Sequence, residues 1–171
     1  MDESREIHAA LIREIRRRLI GESVPRLHRC LSELTEEEIW ARANNNSNSV
    51  GNLILHLTGN VNQWIVSALG GEEDKRERQR EFDERGPIAT SVLLENLNAV
   101  MKKADAVISS LEPEELTLTK NVQGYTETVL AILIHVTEHF SYHTGQVSYI
   151  AKAQKNLDLN YYKDQDLNQT E

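Results

Sequence analysis

The sequence predicts an all-α protein, a four-helix bundle, on three observations. Apolar residues recur with helical spacing along nearly every periodic segment, and no stretch of period-two alternation survives a count. Four long amphipathic runs are joined by connections of mixed length, for which a helical bundle is the natural packing solution. At 171 residues the chain suits one domain with one core, so residues 1–171 are read as a single helical domain with a polar tail at 155–171.

The first run, residues 3–33, is helical with a break or kink expected around Gly21 to Pro25, because glycine lowers helix propensity and proline removes a backbone donor. "TEEEIW" then reads as a short capped turn or helix with acidic residues in its first positions. The Asn- and Ser-rich stretch 43–49 is a loop, and Ser49 or Asn48 caps a second helix over 49–69. Val50, Leu53, Ile54, Leu57, Val61, Trp64, Ile65 and Ala68 form its apolar stripe, and Gly70 and Gly71 end it. Residues 72–89 are a charged connection with about one helical turn, long enough for a crossover. A third helix over 90–111, capped by Thr90 or Ser91, turns Val92, Leu93, Leu97, Val100, Met101, Ala104 and Ile108 inward. After a connection holding "NVQGY", Thr126 caps a fourth helix over 126–154, and the polar tail is expected to fray towards its end.

Composition narrows the function. With 19 basic and 27 acidic residues the formal charge is −8, so contacts to nucleic-acid phosphates would be made against the protein's own field. The basic cluster Arg13, Arg16, Arg17 and Arg18 alternates with Glu14 and apolar neighbours and reads as a solvated helix face. The single cysteine, Cys30, rules out an intrachain disulfide and a cysteine metal cluster, and reads as a small buried hydrophobe. The N-terminus lacks an apolar signal core, and the run "VLAILIHV" is far short of a membrane span. The expectation is a cytoplasmic protein with no nucleic-acid or membrane partner.

The stretch "EHFSYHTGQ", residues 138–146, carries the chemistry. Stepping helix four at about 100° per residue from Val136 at the stripe's centre puts His143 within about 20° of centre and His139 about 60° to the same side. Two histidines four apart on a helix are close enough to ligate one ion, which is half the geometry of an H-E-x-x-H zinc site. The interval here lacks that motif's glutamate, so a metalloprotease loses its base. A third ligand must come from another helix, and His56 in "NLILHLTGN" faces inward one turn before Asn60. Spacing alone leaves two readings open, a three-histidine metal site or core histidines bonded to backbone carbonyls or to each other. His135 sits about 100° from the stripe's centre and is placed behind the ligands or at the surface. His8 and His28 read as exposed or interfacial.

With these residues in hand, the sequence resembles the DinB superfamily, in particular a branch catalogued as a domain of unknown function. The resemblance rests on "NSVGNLILHLTGNVNQWI", "REFDERG" and "TVLAILIHVTEHFSYHTGQVSYIAK". It implies a four-helix bundle in up-down-down-up order, metal ligands His56, His139 and His143, and self-association as a homodimer. Some relatives transfer low-molecular-weight bacterial thiols such as bacillithiol to electrophiles, or use mycothiol in an isomerisation.

Three neutral imidazoles with water in the remaining positions form an open site of the catalytic kind. Imidazole donors suit several divalent ions, with zinc or nickel expected. The first expectation is therefore a metal-dependent thiol S-transferase acting on a small molecule. Asn60, Gln146 and Tyr142 are candidates for contacts behind the ligands or to substrate. The alternatives are a non-enzymatic metal- or ligand-binding protein, its site closed by Glu138 or His135, and a metal-dependent hydrolase in which Glu138 serves as base.

Overall fold

A computed structural model describes residues 3–169 of the chain. The fold is mostly helical, with one small sheet. Its first rod joins α1 (Glu3–Arg16), a π-helical stretch (Arg17–Ser23) and α2 (Val24–Glu33) without interruption. The expected break at Gly21 to Pro25 is a widened turn instead. Val24 N bonds back five residues to Leu19 O, and Ser23 Oγ donates to Arg18 O at 2.8 Å. Pro25 follows directly on this π-helical turn near the start of α2, and the rod continues through it. Three arginines of this rod are exposed and ion-paired: Arg16 with Asp105, Arg17 with Glu14 and Glu22, and Arg18 with Glu14.

Thr35 and Glu38 form a capping box on α3 (Glu36–Trp40). Ser49 and Asn52 form another on α4 (Val50–Val61), which passes into a second π-helical stretch (Asn62–Ser67). The connection then holds α5 (Arg78–Asp83) before α6 (Thr90–Ser110). Ala89 occupies the N-cap of α6 with no side-chain cap, since Thr90 is already helical. Of the stripe assigned to α6, Leu93, Leu97, Met101, Ala104 and Ile108 are buried, whereas Val92 is 42% exposed.

The sequence reading had no strand, yet residues 119–128 form an antiparallel hairpin, β1 (Thr119–Val122) with β2 (Tyr125–Thr128). Its two-residue turn has Gln123 at φ 51° and Gly124 at φ 84°, the paired positive angles of the tight turns that match strand twist. The pairing moves the start of α7 (Val129–Lys155) to Thr128, whose Oγ1 accepts from Ala131 N at 3.1 Å. Thr126 instead donates from its hydroxyl to Asn121 Oδ1.

The rods pack around one core: α4 contacts α6 and α7, α2 lies along α7, and α1 contacts α6. Phe140, Leu57, Ile65, Leu97 and Leu27 are fully buried there, each contributing roughly 1.5–3 kcal/mol of hydrophobic stabilisation. The tail docks rather than frays over its first part. Leu159 is buried, and Tyr161 Oη lies 2.7 Å from Ser148 Oγ and 3.2 Å from Cys30 Sγ. Cys30 itself is buried, as its reading required. Among the described residues no helix is long and apolar enough to cross a membrane.

Candidate metal centre

Two rigid helices bring three imidazoles to one point. His56 comes from the middle of α4, and His139 and His143 come from successive turns of α7. One ring nitrogen from each lies within 4.8 Å of the other two, a group able to hold a metal ion. The rings meet edge-on, with His139 and His143 centroids 4.5 Å apart, His56 and His139 4.9 Å, and His56 and His143 5.0 Å. His56 Nε2 and His139 Nε2 are 3.0 Å apart. Two nitrogens bound to one ion at about 2.0–2.1 Å would stand roughly 3 Å apart.

The tautomers follow from the outer partners. Glu81 Oε2 lies 2.8 Å from His56 Nδ1 and, as a carboxylate, only accepts, so His56 donates from Nδ1 and keeps a lone pair on Nε2. Arg76 Nη2 also lies 3.2 Å from that Nδ1. A guanidinium has no lone pair to receive a proton, so Arg76 donates to oxygens instead, those of Glu81 and Gln63 Oε1. His143 Nδ1 lies 2.7 Å from Gln146 Oε1, and donation to this amide oxygen leaves its Nε2 lone pair free as well. This is the outer layer that metal-ligating histidines use to set ring orientation. His139 differs, for its Nδ1 is buried with no partner among the described residues. Its ring is held by packing between His143 and His135, the latter stacked at 5.6 Å.

Burial, then the neighbouring His143 and His56, pushes His139 down to about 3. Burial also lowers His143, against the hydrogen bond to Gln146, and lowers His135 against Glu138 and Glu127. His139 and His143 are therefore neutral near pH 7, the protonation state that ligates metals. The donor set thus fits a divalent ion.

Glu81 and Arg76 escaped sequence reading because they lie in a stretch that looked like solvated charge. Arg76 is 3% exposed in its side chain and Glu81 11%. Arg76 donates from Nε to Glu81 Oε1 at 2.7 Å and from Nη2 to Oε2 at 2.9 Å. Burial would raise Glu81, but hydrogen bonds from His56 and Arg76 and the Arg76 charge outweigh it and hold Glu81 below the usual carboxylate range. Several anchors carry Glu81 to its place. Asn52 Nδ2 donates to Glu81 O and Glu84 O, Arg42 donates to Phe82 O, and Trp40 Nε1 donates to Ile88 O. Gly59 makes room, because a Cβ there would collide with Glu81 Oε1.

His56 and His139 open onto a cavity of about 600 Å³ that also exposes Asn60, Trp64, His135 and Tyr125. Trp64 stacks on His135 at 4.1 Å and donates from Nε1 to Gln123 Oε1 at 3.0 Å, which fastens the hairpin as one wall. Of the other residues picked from the sequence, Asn60 is 3% exposed and faces this cavity, while His135 lines it half-buried. Gln146 holds His143, and Tyr142 meets the His143 ring edge-on at 4.9 Å but is 62% exposed. Glu138 is exposed and is not part of the histidine group, and neither it nor His135 joins the three rings as a fourth member.

Fold and cluster together define the class: a mostly helical protein with a three-histidine group able to hold a metal ion. Among solved structures, a DinB-like protein from Bacillus cereus ATCC 10987 matches with a TM-score of 0.61 at 17% identity, over 81% of this chain and 89% of that one. At that identity the likeness speaks for the fold. Residues 8–163 match the family described as "Protein of unknown function (DUF1572)", and the chain belongs to that family. No curated protein matches it.

Proposed function

We propose that the protein is a divalent-metal-dependent transferase that uses a low-molecular-weight thiol, with His56, His139 and His143 as ligands and zinc or nickel as the ion. The carrying observation is that three imidazoles converge beside a cavity that His56 and His139 line, two of the three already oriented by acceptors on Nδ1. When bound, the ion supplies Lewis acidity that brings a thiol or water ligand towards its anion near neutral pH. The chain's own residues do the rest. Glu81 and Gln146 fix two rings, while Trp64, His135 and Tyr125 form a wall that limits water and orients the small molecule. The thiol is the part that the DinB-like resemblance implies. The same reading orders the long rods as an up-down-down-up bundle, acting as one domain over 1–171 and as a cytoplasmic homodimer.

A hydrolytic reading has less support, since Glu138 is exposed and not among the clustered residues. The test is metal content by plasma mass spectrometry on untagged protein, followed by a thiol and electrophile conjugation screen. About one equivalent in the parent, little in His56→Ala or His139→Ala, and metal-dependent thiol consumption are expected. A loaded protein that consumes no thiol across the panel would favour the non-enzymatic binding alternative. A parent that is empty and takes up no added zinc or nickel would sink both.

A further inference from the structure

The cavity beside the histidines carries three polar groups that the fold does not use. Asn60 is 97% buried, yet its Oδ1 has no hydrogen-bond partner among the described residues and the side chain lines the cavity. A buried amide oxygen left without a donor costs about 1–3 kcal/mol, and a ligand N–H would satisfy it. Glu127 reaches the same cavity from β2. Across the strands it is in register with Lys120, and its charge acts on His135, but it forms no salt bridge among the described residues. Arg78 lines the cavity from α5. Its guanidinium lies 4.8 Å over the Phe82 ring and likewise forms no salt bridge among the described residues. The neighbouring Arg76, by contrast, is spent on Glu81.

One acceptor at depth, one free carboxylate and one free guanidinium form a pattern complementary to a zwitterion. We infer that this cavity receives the α-amino-acid end of the small molecule, its ammonium against Asn60 Oδ1 and Glu127 and its carboxylate against Arg78. The inference rests on the reading of the histidines as a metal site that takes a thiol, and it narrows that thiol to one bearing an amino-acid group. Arginine suits the carboxylate because its planar fork can bind both oxygens. Its stacking on Phe82 holds that fork at the rim without using up its donors.

Three thiols separate the contributions when titrated into cobalt-loaded protein and followed by the visible spectrum: L-cysteine, cysteamine without the carboxylate, and 3-mercaptopropionate without the ammonium. The expected result is that Arg78→Ala weakens L-cysteine and 3-mercaptopropionate by about ten-fold and leaves cysteamine unchanged, the effect of losing a hydrogen bond to a charged group. Asn60→Ala and Glu127→Gln weaken L-cysteine and cysteamine and leave 3-mercaptopropionate unchanged. Comparing each probe across variants cancels the different ways in which these thiols chelate the ion. If all three thiols bind and every variant shifts them equally, the zwitterion inference falls while the thiol reading stands. If no thiol changes the cobalt spectrum, the thiol reading fails and takes the inference with it.

Discussion

Replacing Glu81 by Gln tests whether the charged connection is part of the site. Glu81 accepts three hydrogen bonds, two from Arg76 at 2.7 and 2.9 Å and one from His56 at 2.8 Å, with both charged side chains at 11% exposure or less. Breaking a buried ion pair from one side costs about 3–5 kcal/mol, because the other charge is left without a partner. Glutamine keeps one acceptor oxygen for Arg76, so the lower end, about 3 kcal/mol, is expected for the metal-free protein. Its NH2 accepts from neither Arg76 nor His56, so with the oxygen on Arg76 His56 loses the group that fixes its tautomer. Loss of such an outer partner lowers metal affinity by about 10–100-fold. The assays are urea unfolding of the metal-free protein and zinc competition against a chromophoric chelator. A double variant, Arg76→Met with Glu81→Met, separates the two effects. Removing both charges restores most of the stability but not the affinity, since His56 Nδ1 still lacks an acceptor. A Glu81→Gln protein that holds zinc as tightly as the parent would refute the reasoning, as would a double variant with affinity restored.

Gly59→Ala drives a methyl into Glu81 Oε1. Overpacking of this kind costs about 1–3 kcal/mol, and zinc affinity should fall alongside stability; unchanged affinity would mean that Glu81 does not orient His56. Trp64→Phe removes the hydrogen bond to Gln123, with about 1 kcal/mol lost. Amide exchange should quicken in residues 119–128 and not in α4, and uniform quickening would count against the hairpin as a separately fastened wall. In metal-free protein, His139 is held at about 3 against 6.5 for an unperturbed ring. Between those values the unfolded chain binds a proton that the native chain does not, so stability falls as pH falls, by up to about 1.4 kcal/mol per unit. The loss is absent above about pH 6.5. Glu81 adds its own loss only as pH falls below its ordinary 4.5, so urea midpoints at pH 7 and pH 5 isolate the histidines. His139→Gln should shrink the difference, and an unchanged difference would show that other groups carry it.

The three clustered histidines were legible because helical periodicity is a strong signal over long runs. One stripe on α7 held Val136, His139 and His143, and the α4 stripe held His56 beside Leu53 and Leu57, so facing directions followed from spacing alone. The hairpin was illegible for the opposite reason. Its strands are four residues each and mostly exposed, with burial concentrated at Val122 and partial at Lys120, Glu127 and Thr128. No alternation of apolar and polar residues therefore exists to be counted, and only Gln123-Gly124 marked a turn. Pro25 misled because its usual effect on a helix assumes an α register, and the π-helical turn before it changes that register. Arg76 and Glu81 resembled their neighbours Arg78, Arg80 and Glu77 in type; what buries them is tertiary, the anchoring of their backbone by Asn52 and Arg42.

That anchoring divides the site into two parts with different mechanical properties. The three histidine rings sit mid-helix on α4 and α7, where displacing a ring would mean shifting a packed rod against Phe140 and Leu57. Interiors at crystal-like packing density resist such shifts. Apart from Asn60 on α4, the groups that would select a ligand, Arg78, Gln123, Tyr125 and Glu127, sit instead on a short helix and a hairpin, each joined to the helices by a few hydrogen bonds and ring contacts. Substitution there costs little core packing, since these side chains are half-buried or exposed. Ion binding and ligand choice can therefore change separately in this fold. It follows that variants of Arg78 or Glu127 should alter which thiol binds while leaving zinc affinity and unfolding midpoint near the parent's, whereas Glu81, though on the same short helix as Arg78, should behave with the ligands because its carboxylate is buried against His56. A zinc titration and a urea melt across the three positions would show whether the boundary runs through α5, between its rim residue and its buried one.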